Sequence, residues 1–317
     1  MHKSYFNSQY PLVMASMNGV STLPLALACW QAGVFPSLVT PFRNTDFRTT
    51  MSPEDRRDAI HYDLTEFKKV TGHCDVIVGL MYGELEDAKT MQLMVDHGVS
   101  HVELFSSAGQ TYQHNPMRDK YQTLYEPWFA KKLKSYGSIR FMERCRELKN
   151  FDPGTVMGVR GRDAGGGTNP ELTTREMFDQ QRQLTPDAVI VPYGGVGTPE
   201  QVAYYITAGA AAVGIGTLFA ACAESALSTE TKQAMISASK DNLARMPDTG
   251  QSMLPLGKFD DIVRSQSQSV ANRDSSLYAG IRGDGTVGHI YAGHAIEHVT
   301  TIRTVQQTVE YLTSQLI

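Results

Sequence analysis

The sequence predicts an α/β protein, a (β/α)8 TIM barrel with a C-terminal helical elaboration, and three observations carry that prediction. Strand-like and helix-like segments alternate from the first residues onward. Two short β-branched runs, Val189–Val191 and Ala212–Ile215, each end in glycines, and a helix-length segment opened by Thr198-Pro199-Glu200 lies between them. The chain of 317 residues suffices for one barrel of about 250 residues plus insertions. Two smaller domains fit the length equally well, but the alternation favours a single domain over 1–317.

Pro11–Ala15 reads as a buried first strand, followed by a helix over Thr22–Gln31 and a second strand, Val34–Leu38. Ser52-Pro53-Glu54-Asp55 then opens a helix: the serine caps free N–H groups, proline fits the first turn, and the acids face the positive end of the dipole. Ile60, Leu64 and Phe67 recur at helical spacing along it. Asp75–Leu80 is the third strand; a helix through Glu86–Val95 ends at Gly98, a C-cap residue, before the fourth strand, Val99–Phe105. His101 is expected to pack inside that strand, with Ser106 and Ser107 at its tip. Ile139–Met142 and Val156–Val159 are the expected strands five and six, with Glu143 and Arg144 at the end of the fifth, and the glycine-ended runs supply seven and eight.

Two regions exceed ordinary connections. Residues 109–137 carry Tyr112, His114, Tyr121, Tyr125 and Trp128, and form either a lid over the barrel mouth or a surface helix whose aromatics pack on the barrel. Residues 220–300 read as a helical extension: Glu230–Arg245 has helical character, and Pro247, Gly250, Pro255 and Gly257 break the segment after it. Thr301–Leu316 closes the chain as an amphipathic helix.

Composition narrows the function classes. A hydrophobic fraction of 41%, a charged fraction of 20% and a net charge of −4 show no bias toward nucleic acid, and no basic block occurs. Cys29, Cys74, Cys145 and Cys222 are scattered without a CxxC pair, so reduced thiols are expected and neither a metal site nor a disulfide framework is. The first residues lack the apolar core of a signal peptide, and no run of 18 apolar residues occurs. A cytoplasmic protein acting on a small molecule, without membrane partners, is the expectation.

Glycines after consecutive parallel strands let backbone N–H groups approach a phosphate closely, and in such barrels phosphate sites lie after strands seven and eight. Ordinary turns would produce the same glycines. Ala15-Ser16-Met17, passing into Asn18-Gly19-Val20-Ser21, offers small residues and open backbone at the barrel mouth, where a flat ring can lie. Gly158–Asn169 holds five glycines among twelve residues, with Arg160 and Arg162, and suits an anionic ligand or else is a surface loop.

In order and spacing these segments resemble the nitronate monooxygenase family, formerly called 2-nitropropane dioxygenases, and its relatives the FMN-dependent enoyl-acyl-carrier-protein reductases. Pro11–Ser21 resembles the family's opening strand, Ala164-Gly165-Gly166 the A-G-G of the strand-six loop, and Gly194-Gly195-Val196 the G-G-I of strand seven. Val213–Thr217 resembles the strand-eight motif and Ile290–Val299 the C-terminal A-G-Q segment. The resemblance implies FMN, with phosphate at the backbone of Gly194, Gly195, Gly216 and Thr217 and the ring on Ala15, Ser16 and Met17. Gly161 and Gly165 approach from the strand-six loop, and Gly79 and Gly214 complete the implied cofactor set. It implies oxidation of a small carbanionic substrate through flavin. The related alternative is enoyl-thioester reduction with NAD(P)H, an acyl carrier protein as partner and Tyr112–Trp128 lining an acyl channel. A third reading is a barrel that binds flavin or phosphate without catalysis.

Four positions depart from the family pattern. Gly167 stands where a histidine usually follows A-G-G, Arg160 replaces a glutamine, Gly79 an asparagine, and His294 the glutamine of A-G-Q. His294 is therefore the expected proton carrier and Arg160 the expected stabiliser of negative charge. His289 and His298 flank the C-terminal motif without an evident partner.

Overall fold

The structure is a computed structural model that describes residues 5–41, 51–81, 88–105, 134–138, 156–165, 171–184, 186–246, 251–266 and 270–316. Eight strands make its central layer: β1 (Leu12–Met14), β2 (Ser37–Val39), β3 (Ile77–Met81), β4 (His101–Phe105), β5 (Lys134–Ser138), β6 (Val156–Arg160), β7 (Val189–Tyr193) and β8 (Val213–Ile215). All pair in parallel in the order β1-β8-β7-β6-β5-β4-β3-β2. The ends meet just before β2, where Phe35 N donates to Leu12 O and Met14 N to Phe35 O, both at 2.9 Å. The sheet is thereby a closed barrel.

Alternation along the strands divides the core in two. Val13, Phe35, Ile77, Val156, Val191 and Tyr193 pack together inside the barrel. Leu38, Val78, Leu80 and Val102 face outward and pack on the helices. Those helices are α1 (Leu23–Gln31), α2 (Pro53–Thr71) and α3 (Ala88–His97), while α4 (Thr174–Leu184) and α5 (Pro199–Thr207) pack in a second cluster with Val159, Ile190 and Val213. Local chemistry sets their ends. Asp55 N donates to Ser52 Oγ at 3.1 Å at the start of α2, and Gln201 N to Thr198 Oγ1 at 3.3 Å at the start of α5.

After β8 the chain forms α6 (Thr217–Ala220), α7 (Thr229–Ile236), α8 (Phe259–Gln266), α9 (Val270–Ile281) and α10 (Val305–Thr313). Short 3-10 turns lie at Lys240–Asn242 and His294–His298. Between them runs an antiparallel sheet of β9 (Ala244–Arg245), β10 (Ser252–Pro255) and β11 (His289–Tyr291), which the sequence reading did not foresee. Helical character expected as far as Arg245 stops at Ile236, and Ser239 caps a separate turn by accepting from Asp241 N at 3.2 Å. Pro255, expected only to break structure, ends β10, where it pairs with His289.

The fifth strand is a second correction. It is Lys134–Ser138, ahead of the expected Ile139–Met142, which lies outside the described residues together with Glu143, Arg144 and Cys145. Residues 134–137 of the expected lid thus belong to β5, and Tyr112, His114, Tyr121, Tyr125 and Trp128 lie outside the described residues. Cys29, Cys74 and Cys222 are free and buried. Among the described residues no helix is long and apolar enough to cross a membrane.

Candidate functional site

The C-terminal ends of β1, β6, β7 and β8 surround a cleft enclosing about 70 Å³, the space of a phosphate-sized group. The turn after β1 brings Ala15, Ser16 and Met17 to it. Ser21 Oγ holds that turn by accepting from Met17 N at 2.8 Å and donating to Ala15 O at 3.0 Å. Ser16 Oγ, buried in the same wall, has no hydrogen-bond partner among the described residues. A buried hydroxyl left so costs about 1–3 kcal/mol, which a polar ligand in the cleft would recover.

β7 delivers Tyr193 and the turn Gly194-Gly195-Val196. Gly194 and Gly195 have φ of +104° and +69°, conformations that residues with a Cβ rarely adopt, and a Cβ on Gly194 would run into Ala164. β8 delivers Gly214, Gly216 and Thr217. A Cβ on Gly216 would stand 3.5 Å from Ala15 Cβ and 3.8 Å from Met17 Sδ, inside the cleft itself. Gly216 is thus a cradle that any side chain would partly fill. No Cβ shields the backbone N–H groups of Gly194, Gly195 and Gly216 at the cleft. These are donors suited to an anion, so the phosphate end of FMN fits the residues present.

From β6 come Arg160, Ala164 and Gly165, and from the extension Tyr291 and Ala295. The extension is fastened to the barrel rather than merely adjacent to it. Gly293 N donates to Thr217 Oγ1 at 3.1 Å, His294 N to Asp163 O at 2.9 Å, and Gly165 bridges to Ser252. The small sheet thereby forms one wall of the cleft.

Of the residues expected from sequence, Arg160, Ala15, Ser16, Met17, Gly165, Gly194, Gly195, Gly214, Gly216 and Thr217 line this one cleft. Three do not line it. Gly161 packs against the start of α4, where its N–H donates to Thr174 Oγ1 at 3.0 Å and a Cβ would strike the Thr174 backbone. Gly79 lies on β3, its carbonyl accepting from Thr40 N at 3.2 Å. His294 is half-buried in a 3-10 turn whose next residue, Ala295, reaches the cleft instead. The expected proton carrier is therefore set aside from the cleft wall. Gly167 lies outside the described residues.

Tyr193 and Glu103 were missed from sequence, whereas Ala164, Val196, Tyr291 and Ala295 lie in segments noted there without being singled out as site residues. Tyr193 follows Val189 and Val191 on the inward face of β7 and lies over Gly214, where any Cβ would meet its ring. The Arg160 guanidinium stands 5.0 Å from the centre of that ring and pairs with the buried carboxylate of Glu103 on β4. A charged residue within the apolar run His101–Phe105 was the available signal for Glu103.

Comparison with known proteins agrees with this geometry. Over 98% of the chain, the structure is similar to FabK from Thermotoga maritima, with TM-score 0.74, 19% identity and 93% of that chain covered. It is similar, over the same share, to a nitroalkane oxidase from Streptomyces ansochromogenes, with TM-score 0.73, 18% identity and 96% of that chain covered. The enoyl reductase domain of MlnA from Bacillus amyloliquefaciens matches with TM-score 0.67, 11% identity and 94% of that domain covered. At such identities the likeness is one of fold. No curated protein matches the sequence. The family model of nitronate monooxygenase matches residues 138–315, more than half of the chain and all of the cleft except the β1 turn, and the chain therefore belongs to the nitronate monooxygenase family of oxidoreductases.

Proposed function

We propose that this chain is an FMN-dependent oxidoreductase that oxidises a small carbanionic substrate of the nitronate class. The observation that carries the reading is the convergence of two glycine turns, Gly194-Gly195 and Gly216-Thr217, with Ala15–Met17 and Gly165 on one cleft. Backbone N–H groups of the two turns would hold the phosphate, and Ala15, Met17 and Gly165 leave a low, flat wall for the ring. FMN, when bound, supplies the electron acceptor that no side chain provides.

The chain's own residues fit an anionic substrate. Arg160 lines the cleft wall with its guanidinium held by Glu103 and Tyr193, and it offers N–H donors for the oxygens of a nitronate. Among the described cleft residues there is no carboxylate and no histidine. A nitronate arrives already deprotonated and needs no base, whereas abstraction of a proton from a neutral nitroalkane does. Tyr193 and Tyr291 stand at the same cleft.

Purified protein reconstituted with FMN should be yellow. Anaerobic addition of an alkyl nitronate should bleach the flavin band, and admission of oxygen should restore it. Colourless protein that cannot take up FMN overturns the reading. Bleaching by NAD(P)H and reoxidation by an enoyl thioester on acyl carrier protein, with no response to nitronate, would move the chain to enoyl reduction. A flavin inert to both reductants would leave a binding protein.

A further inference from the structure

Glu103 is the one acidic residue on β4, and its neighbours show which way it faces. Val102 packs outward with α2 and α3, so by alternation Glu103 faces the barrel interior, where it is only 3% exposed. Its register partner on β3 is Gly79, which places no side chain beside it. One carboxylate oxygen, Oε1, accepts from Arg160 Nη2; the other, Oε2, is buried with no partner among the described residues. Arg160 ends β6, two strands away, so the pair spans the interior beneath the cleft that Arg160 lines. A buried carboxylate is tolerated there because the guanidinium compensates it, and the guanidinium is fixed there for the same reason.

We propose that Glu103 is the positioning residue of this cleft: it holds the Arg160 guanidinium against Tyr193 and offsets its charge, so that a bound flavin faces a neutral pair rather than a free cation. The inference rests on the reading of the cleft as a flavin site. It makes the charge balance of this pair a means by which the chain tunes its cofactor.

The test compares four FMN-reconstituted proteins, the wild type, Glu103→Gln, Arg160→Gln and the double variant, by flavin midpoint potential. Glu103→Gln leaves an uncompensated cation near the flavin, which favours the anionic reduced form, and the potential shifts upward. Arg160→Gln leaves an uncompensated carboxylate, and the potential shifts downward. The double variant, neutral again, returns close to the wild type. Shifts of opposite sign that cancel are not what a merely structural pair gives, since loss of packing lowers the melting temperature of both single variants without moving the potentials apart. An unchanged potential in folded Glu103→Gln, or a shift downward, overturns the proposal. Should Glu103→Gln fail to fold, the double variant decides: a potential near the wild type supports the proposal, and one displaced as far as that of Arg160→Gln overturns it. Wild-type protein that takes up no FMN overturns the flavin reading itself, whereas flavin-loaded variants with unmoved potentials overturn the role of Glu103 alone.

Discussion

At the scale of single residues, the two glycine turns respond differently to the same change. Gly194→Ala puts a methyl group into Ala164 at a φ of +104°, and strain of this kind costs about 1–3 kcal/mol before the clash is counted. Gly216→Ala puts its methyl group into the cleft, 3.5 Å from Ala15 Cβ, where the protein has room and a ligand would not. Thermal unfolding should show a lowered melting temperature for Gly194→Ala and a change within about 0.5 kcal/mol for Gly216→Ala. Fluorescence titration should show FMN affinity falling at least tenfold for Gly216→Ala; equal affinities would place the phosphate elsewhere. That these glycines share one cleft was legible in the sequence, because glycine turns after parallel strands stand out as missing side chains. Tyr193 and Glu103 were not, because an inward tyrosine or glutamate is recognisable only when strand register and its cross-barrel neighbour are known. His294 misled for the reverse reason: a histidine in a motif suggested chemistry, but the 3-10 turn gives the cleft to Ala295.

At the scale of elements, strand identity proved legible where β-branched runs were flanked by turn residues and illegible where pairing alone decides. Lys134–Ser138 has little strand character of its own, yet it pairs with both β4, His101 with Lys134, and β6, Ser138 with Gly158. The segment Ile139–Met142, with Ile139, Phe141 and Met142, drew the expectation five residues too far along the chain. β10 was hidden by its flanking prolines and glycines, since a short strand stabilised by neighbours on both sides needs little propensity. The helices divide by what their first residues do. Thr174 Oγ1, at the start of α4, lies 2.6 Å from Asp163 Oδ1 and 3.0 Å from Tyr193 O, and accepts from Gly161 N. It joins the β6 loop to β7 directly beside the cleft. Thr174→Val should lower stability by about 1–3 kcal/mol through unsatisfied buried groups, and should weaken FMN binding as the loop loses its anchor. Thr304→Ala, which removes the cap on α10 from Gln307 N, should lower stability by about 1 kcal/mol and leave FMN affinity unchanged. Denaturant midpoints paired with FMN titration check both, and a loss of affinity on Thr304→Ala would show that the extension is coupled to the cleft more tightly than its hydrogen bonds suggest.

At the scale of the whole molecule, stability against pH is set by groups far from the cleft that pull in opposite directions. His289, buried between α9 and β11 with Nδ1 2.9 Å from Ser276 Oγ, is held down to about 4 by loss of solvent, against an ordinary 6.5. The folded protein keeps it neutral while the unfolded chain takes up a proton, so its contribution is full above pH 6.5 and is lost as pH falls toward 4. Carboxylates at turns and helix starts, Glu176, Glu200, Glu230 and Asp284, are lowered by their hydrogen bonds and act with the same sign. Asp63, half-buried on α2, opposes them: burial raises it from 3.8 to about 6, so the folded protein holds a proton that the unfolded chain has released. Its contribution is full below pH 3.8 and is lost as pH rises through 6. At pH 7 the carboxylate is charged at a half-buried position, and Asp63→Asn, which imitates the protonated form, should be more stable than the wild type by about 1–2 kcal/mol. The advantage should shrink steadily on acidification and vanish near pH 4. Urea unfolding of the two proteins at pH 7, 6, 5 and 4 reads this directly, because the other titrating groups are common to both and cancel in the difference. An advantage that stays constant with pH would mean that Asp63 is solvated in the folded barrel, and one that grows toward acid would mean that it is ion-paired there.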